Sequence, residues 1–207
     1  MIQYSAFDKN GSYTFSDYFK TNADSWEIAK FFGYGLQREE LNLLTVPVPW
    51  PETVHILQAD LREISKKVYI NSEQARREFL IAPILFLLSK SLADFRLSVE
   101  KYIFASDQLK GSLDYYLSGQ QSMVVIEAKN SDIVSGMKQL VAELIALDKL
   151  EEPEQMVLHG AVSIGDDWRF ARLNRADKKI IEDIKLYRVP EEIEILFGVL
   201  FGLLGKE

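Results

Sequence analysis

The feature that most restricts the fold is a strand that is apolar on both faces and then ends abruptly in charge. The run from Met123 holds only apolar residues until Glu127, and Lys129 follows two positions later. Strands buried on both faces are typical of sheets that carry helices on both sides, and charged residues are rarely buried without a partner. The run therefore predicts a central strand of an α/β sheet, with a charge cluster at its end that needs a reason.

The segments around this strand alternate between helical and strand patterns. We expect a core helix first, Ser72 to Ser89, which Pro83 must kink or interrupt. The following predicted elements are strands Asp94 to Phe104, Lys110 to Leu117 and Ser122 to Ala128, helix Asp132 to Leu150, strands Met156 to Ile164 and Trp168 to Leu173, a further strand before Pro190, and helix Pro190 to Leu204. The order of helix, three strands, helix and strand, with an appended hairpin and a terminal helix, predicts an α/β sheet covered by helices.

Residues 1–70 differ from the rest, because they show short helical patterns and an irregular apolar stretch rather than strands. We expect helices over Ser16 to Lys20, Asp24 to Phe32 and Glu52 to Lys66. The sequence therefore predicts a helical N-terminal extension over 1–70, and a second region over 71–207, which together form one compact unit.

Two predicted strands form a hairpin that brings acidic residues together. If the turn is symmetric about Gly119 and Gln120, Asp114 lies opposite Val125. Because opposite residues share a face and strands repeat their face every two residues, Asp114, Glu127 and Lys129 then point to one side. Two carboxylates converging in this way can hold a hard divalent cation, and the lysine can stabilise charge on a phosphate. A shift of one residue in the register would move Asp114 to the other face, and a merely solvated sheet face would show the same residue types.

Four pieces of the chain, in order, resemble the PD-(D/E)XK nuclease superfamily. The likeness is closer to the N-terminal nuclease region of type I restriction enzyme R subunits and to small stand-alone bacterial relatives. It covers residues 70 to 173. The matching pieces are Glu73-Gln-Ala-Arg-Arg77 with Ile81-Ala-Pro83, Gly111-Ser-Leu-Asp114-Tyr115, Val125-Ile-Glu127-Ala-Lys129, and Gly136-Met-Lys-Gln139.

The resemblance implies a restriction-endonuclease-like core and a nuclease that hydrolyses phosphodiester bonds with Mg²⁺ or Mn²⁺. Asp114 and Glu127 would bind the metal, Lys129 would orient the attacking water, and Gln139 would assist from the next helix. Glu73 would complete the acidic cluster as a further metal ligand. These five residues are the candidate catalytic set.

Glu78 is the rival of Glu73 for the helix carboxylate. It lies five positions further along, roughly 140° round a regular helix. The match of Glu73 to Arg77 and Pro83 favours Glu73. For either glutamate the alternative is an ordinary helix ion pair, such as Glu73 with Arg77 at i,i+4.

The charge balance and two departures from the family pattern support an alternative function. The net charge is −7, from 31 acidic and 24 basic residues, so no global positive field attracts nucleic acid. Ser112 stands where the pattern often has Arg, and Glu143 stands where an aromatic residue is common. The alternative is a degenerate superfamily member that binds nucleic acid or a protein partner without cleaving. A third hypothesis is a metabolic or structural protein whose hairpin charges are only solvated.

The partner and localisation predictions follow from composition and from local runs. We expect nucleic acid as partner, with DNA favoured over RNA, and contacts from a basic stretch at Arg169 to Lys179 that could equally be a solvated hairpin edge. The longest apolar runs are about ten residues, short of the ~20 of a membrane span, and the absence of cysteine suits a cytoplasmic location. The apolar closing helix, with Phe197, Leu200 and Phe201, predicts burial within the domain or a homodimer.

Overall fold

The computed structural model describes residues 7–8, 10–48, 50–119, 122–127, 132–150 and 156–205, with the backbone alone for 122–127. Its helices are α1 (Phe15–Lys20), α2 (Ser25–Phe31), α3 (Pro51–Lys67), α4 (Glu73–Arg76), a π-helical turn (Arg77–Ile81), α5 (Ala82–Ser91), α6 (Ile133–Leu150) and α7 (Ile193–Leu204). Its strands are β1 (Gly35–Glu39), β2 (Arg96–Ser106), β3 (Leu109–Ser118), β4 (Ser122–Glu127), β5 (Val157–Ser163), β6 (Asp167–Asn174), β7 (Lys179–Asp183) and β8 (Tyr187–Arg188).

The strands form one mixed sheet in the order β1-β7-β6-β5-β4-β3-β2, with β8 paired to β6. β4 and β5 run parallel, with Val125 opposite Ala161, and α6 is the crossover between them. The hairpins β2–β3, β3–β4 and β5–β6 are antiparallel. The strand that the sequence indicates as buried on both faces is therefore an interior strand of the sheet.

Helices cover both faces of the sheet and enclose two cores. The first core lies under α1, α2 and α6 and includes Leu113, Leu140 and Val162. The second core lies under α3, α5 and α7 and includes Tyr115, Ala161 and Trp168. This confirms the predicted α/β class with helices on both faces of the sheet.

The core helix expected over Ser72 to Ser89 is divided into three segments around Pro83. Proline lacks an N–H and its ring clashes with the carbonyl four residues earlier, which disfavours a regular α-helix at this point. The chain forms a π-helical turn instead, in which the N–H of Ala82 donates to the carbonyl of Arg77. Such turns are frequent at functional sites, and this one contains Arg77.

The N-terminal region contributes a strand that the sequence pattern did not indicate. β1 pairs in parallel with β7, with Gln37 opposite Ile181. Its residues are mostly exposed, so it lacks the apolar alternation by which a strand is recognised. The Arg38 Nε donates to the Glu182 Oε2 at 2.7 Å, which ties this edge strand to its neighbour.

The closing helix α7 is buried within the chain. Phe197 and Leu200 are fully buried in the second core, and Phe201 is partly buried against it. Gly198 and Gly202 lie against the backbone carbonyls of Val46 and Leu44, so a side chain at either glycine would collide with that segment. Burial within the domain, the first of the two expected outcomes for this helix, is confirmed.

None of the helices in the described ranges combines the length and the apolar character that crossing a membrane requires.

Candidate functional site

The candidate site lies where the alternation of faces breaks along the β2–β3 hairpin. On β3, Leu113 belongs to the first core, whereas Tyr115, two residues later, belongs to the second. In a regular strand these two side chains would share a face. The change of face therefore occurs at Asp114.

The neighbouring strand breaks at the same level. Val99 pairs with Tyr115 and Lys101 pairs with Leu113, which leaves Glu100 beside Asp114. Glu100 has a φ of 53°, in the left-handed region that costs a non-glycine residue about 1–3 kcal/mol. Both strands therefore change face together, and the surrounding structure stabilises a strained residue at this point.

Arg77 of the π-helical turn contacts both residues at the break. Its Nη1 donates to the Glu100 Oε1 at 3.2 Å and lies 3.9 Å from the Asp114 Oδ1. Tyr115 contacts the same arginine twice, because its hydroxyl donates to the Arg77 carbonyl at 3.4 Å and its ring lies 5.3 Å from the guanidinium carbon. Burial lowers the pKa of Arg77, but the hydrogen bond with Tyr115 and the charge of Asp114 raise that pKa overall, so the side chain stays cationic. The guanidinium thus balances two carboxylates.

The hairpin register differs from the predicted one by one residue. Tyr115, rather than Asp114, lies opposite Val125. Ser118 pairs with Ser122, so three residues connect the two strands instead of the predicted two. On its own this shift of one residue would move Asp114 to the other face of the sheet. The break at Asp114 compensates, because the Asp114 carboxylate reaches Arg77 on the same side of the sheet as Tyr115.

An open cleft of about 590 Å³ lies beside this cluster. Its walls come from the core helix segments and from the broken level of β2 and β3. Both rival glutamates line it, and the Glu78 Oε1 accepts a hydrogen bond from the Gln74 amide at 2.8 Å. The lining residues are Glu73, Gln74, Arg77, Glu78, Ala82, Val99, Glu100 and Tyr115.

Gln139 lies on α6 and is buried, with its amide nitrogen donating to the Glu143 Oε1 at 2.9 Å. Glu143 is fully buried, and its other oxygen has no hydrogen-bond partner in the structure as described. Burial raises the pKa of Glu143 well above its usual range; the Gln139 amide works against that rise, and the charge of Asp114 adds to it. The α6 pair is therefore within electrostatic reach of Asp114.

Sequence reasoning treated Glu143 only as a departure from the family pattern. Its position four residues after Gln139 on one apolar helix was the available signal, since a carboxylate on a buried stripe needs a partner. The sequence indicates Arg77 as part of a matching piece and as a helix ion-pair partner of Glu73, and in the structure Arg77 reaches Asp114 and Glu100.

Two of the five predicted site residues cannot be placed by their side chains. The side chain of Glu127 and the whole of Lys129 lie outside the described residues. The backbone of Glu127 pairs with Ser163 of β5. Glu127 lies two positions after Val125, which is the register partner of Tyr115. Among the residues that the structure describes with side chains, no group of three acidic or histidine residues is arranged to hold a metal ion.

The basic stretch at Arg169 to Lys179 is used in part for structure. The Arg175 Nε donates to the Asp148 Oδ1 at 2.6 Å, and Tyr34 donates to the same carboxylate. The Arg175 side chain is only 9% exposed, so it ties α6 to the end of β6. Of the two histidines, His159 is buried in β5, and His55 lies on the surface within 3.5 Å of Glu194.

No protein-family model matches this chain, and no curated protein is significantly similar to it.

Proposed function

We propose that this protein is a divalent-metal-dependent nuclease with a restriction-endonuclease-like core, acting at the cleft beside Asp114. The observation that carries the proposal is the meeting of two separate pieces of sequence at one carboxylate. Arg77 contacts Asp114, and Glu73 lines the adjoining cleft. The family resemblance draws on the same two pieces and adds Glu127, Lys129 and Gln139.

The described residues fit a hard cation in their chemistry. Asp114 offers carboxylate oxygens with 18% of the side chain exposed, and Glu73 or Glu78 offers a second carboxylate from the cleft wall. Oxygen ligands of this kind suit Mg²⁺ or Mn²⁺. A metal bound there would polarise the scissile phosphate and lower the pKa of a bound water.

The protein's own residues would supply the rest of the chemistry. Lys129 would orient the attacking water and offset the negative charge that grows on the phosphoryl oxygens. Arg77 is a second cation at the cleft, able to exchange its contact with Glu100 for a phosphate oxygen. The Gln139 amide, fixed by Glu143, would position the substrate or the water from the side of α6.

A cleavage assay with matched controls tests the proposal. With Mg²⁺ or Mn²⁺, purified protein should nick DNA or RNA among single-stranded, duplex and branched substrates. Lys129→Ala should lower the rate by about 10²-fold or more, the scale of losing one electrostatic stabiliser, whereas the exposed Lys66→Ala should not. Asp114→Asn should weaken metal affinity in calorimetric titration, and the α3 variant Asp60→Asn should leave it unchanged. Wild-type protein that is inert on every substrate with both metals would refute nuclease activity.

A second candidate function is binding without cleavage. It is favoured by Arg77, whose guanidinium already contacts the Asp114 carboxylate and would compete with a cation for it. In that case the wild-type protein would bind an oligonucleotide in the presence of EDTA, and addition of Mg²⁺ would produce neither heat nor cleavage.

A further inference from the structure

One face of the β2–β3 hairpin is open to solvent beyond the break at Glu100 and Asp114. Tyr102 and Phe104 point from this face with 62% and 54% of their surface exposed. Their register partners on β3 are Ser112 and Lys110. We call these four residues the hairpin face.

The packing of the opposite face of the hairpin explains why no part of either core covers the hairpin face. Ile103, Leu109 and Leu113 enter the first core under α1 and α6. Alternation then directs Tyr102 and Phe104 away from that core, and the second core uses the part of the hairpin on the other side of the break, where it includes Tyr115 and Leu117. The break thus separates a buried stretch from an exposed aromatic one.

The two exposed rings have the spacing and flanking charges of a platform for unpaired bases. Residues two apart on a strand lie about 6.8 Å from one another, so each ring can carry a separate base. The Lys110 ammonium lies 5.7 Å from the centre of the Phe104 ring. The same ammonium lies 3.5 Å from the Asp107 Oδ1. At the other end of the aromatic pair, the Arg77 Nη1 lies 3.2 Å from the Glu100 Oε1. Each end therefore carries a cation that is paired with a carboxylate, and a phosphate would have to replace that carboxylate.

The hairpin face is continuous with the candidate site. Up to the break, every second residue of β3 lies on this side of the hairpin, which includes Lys110, Ser112 and Asp114. On β2, Phe104 pairs with Lys110, Tyr102 pairs with Ser112, and Glu100 lies beside Asp114. Asp114 is the diagonal neighbour of Tyr102 on the adjacent strand, so a strand of nucleic acid lying over the rings would reach it within about 7–8 Å.

We propose that the hairpin face binds single-stranded nucleic acid, with successive bases stacked on Tyr102 and Phe104 and the backbone directed towards Asp114. The inference deepens the proposed function and rests on it only for the role of Asp114. Exposed rings on a sheet can stack only on bases that are unpaired, because a duplex keeps its bases inside its own stack. Lys110 and Arg77 would contact the phosphates on either side in exchange for their contacts with Asp107 and Glu100.

The test measures binding in EDTA, which removes the divalent metal, so that cleavage of the probe does not affect the measured affinity. The probe is a fluorescein-labelled 20-nucleotide DNA of mixed sequence, followed by anisotropy, with the same sequence as duplex and as RNA. Stacking contributes at least ~1 kcal/mol per base, which is about five-fold in affinity. Tyr102→Ala combined with Phe104→Ala should weaken single-strand binding by about 25-fold. Tyr102→Trp combined with Phe104→Trp should retain it, because indole rings also stack on bases, and an unchanged urea-unfolding midpoint of the alanine variant excludes a folding defect.

A matched control replaces two other exposed rings. Tyr69 is 89% exposed, and Phe86 is 60% exposed beneath Lys90 as Phe104 is beneath Lys110. Tyr69→Ala combined with Phe86→Ala should leave the affinity unchanged. The expected wild-type result is tighter binding of a single strand, DNA or RNA, than of duplex.

Three outcomes would overturn the inference: equal binding of duplex and single strand, an unchanged affinity in the Tyr102 and Phe104 double variant, or a wild-type dimer in sedimentation that this variant dissociates. The last would identify the hairpin face as a self-association surface. Failure of nuclease activity is a separate result, because single-strand binding that depends on the two rings would support the platform even in a protein that cleaves nothing.

Discussion

His159, which is buried in β5, should contribute to the acid sensitivity of the fold. The residue is 7% exposed, and its Nδ1 has no hydrogen-bond partner among the described residues. Burial, together with the charge of Arg172, lowers the pKa of this imidazole to about 4 from an ordinary 6.5. The folded protein thus holds a neutral histidine that the unfolded chain would protonate.

The size of the effect follows from these two pKa values. A group whose pKa is lowered by folding contributes stability that is present above its unfolded pKa and is lost as the pH falls. At pH 4.5 the unfolded histidine is almost fully protonated, whereas only about a quarter of the folded molecules carry the proton. The free energy of unfolding should therefore fall by about 2.5 kcal/mol between pH 7.5 and 4.5 from this residue alone.

Urea unfolding at the two pH values measures this contribution directly. His159→Leu removes the titrating group, so its loss of stability on acidification should be about 2.5 kcal/mol smaller than that of the wild type. His55→Leu is the matched control, because the His55 side chain is 60% exposed, and it should keep the pH dependence of the wild type. Equal losses in wild type and His159→Leu, to within about 0.5 kcal/mol, would refute the reasoning.

Two further predictions concern α6 and the basic stretch. Folding raises the pKa of Glu143 above 4.5, so its contribution is present at low pH and lost as the pH rises; Glu143→Gln should therefore gain stability relative to wild type from pH 4.5 to pH 8, as measured by urea unfolding. Arg175→Met breaks a largely covered ion pair and should cost up to about 3–5 kcal/mol in the free energy of unfolding. The exposed pair of Arg188 with Asp167 is the control, and Arg188→Met should cost under about 1 kcal/mol.

Local patterns were sufficient for the class of the fold. The apolar run from Met123 to Ile126 predicted an interior strand, and the stripe on α6 predicted a helix packed on the sheet. Both signals are local, because the period of a buried element follows from its own geometry. The sequence pattern did not predict the strand Gly35–Glu39, because its exposed residues show no such period. Only the pairing with β7 defines this strand.

The arrangement of the site depended on contacts that are distant in sequence. Residue spacing along the hairpin predicted Asp114 as a candidate, and the family resemblance added Glu73 and Gln139 to the candidate site residues. The hairpin register depended on a single residue in the loop, because adding one residue to a turn moves every side chain of the strand to the other face. The strained Glu100 and the contact of Arg77 with Asp114 restored the orientation. These features depend on which surfaces meet in the folded chain, and no local pattern in the sequence encodes that.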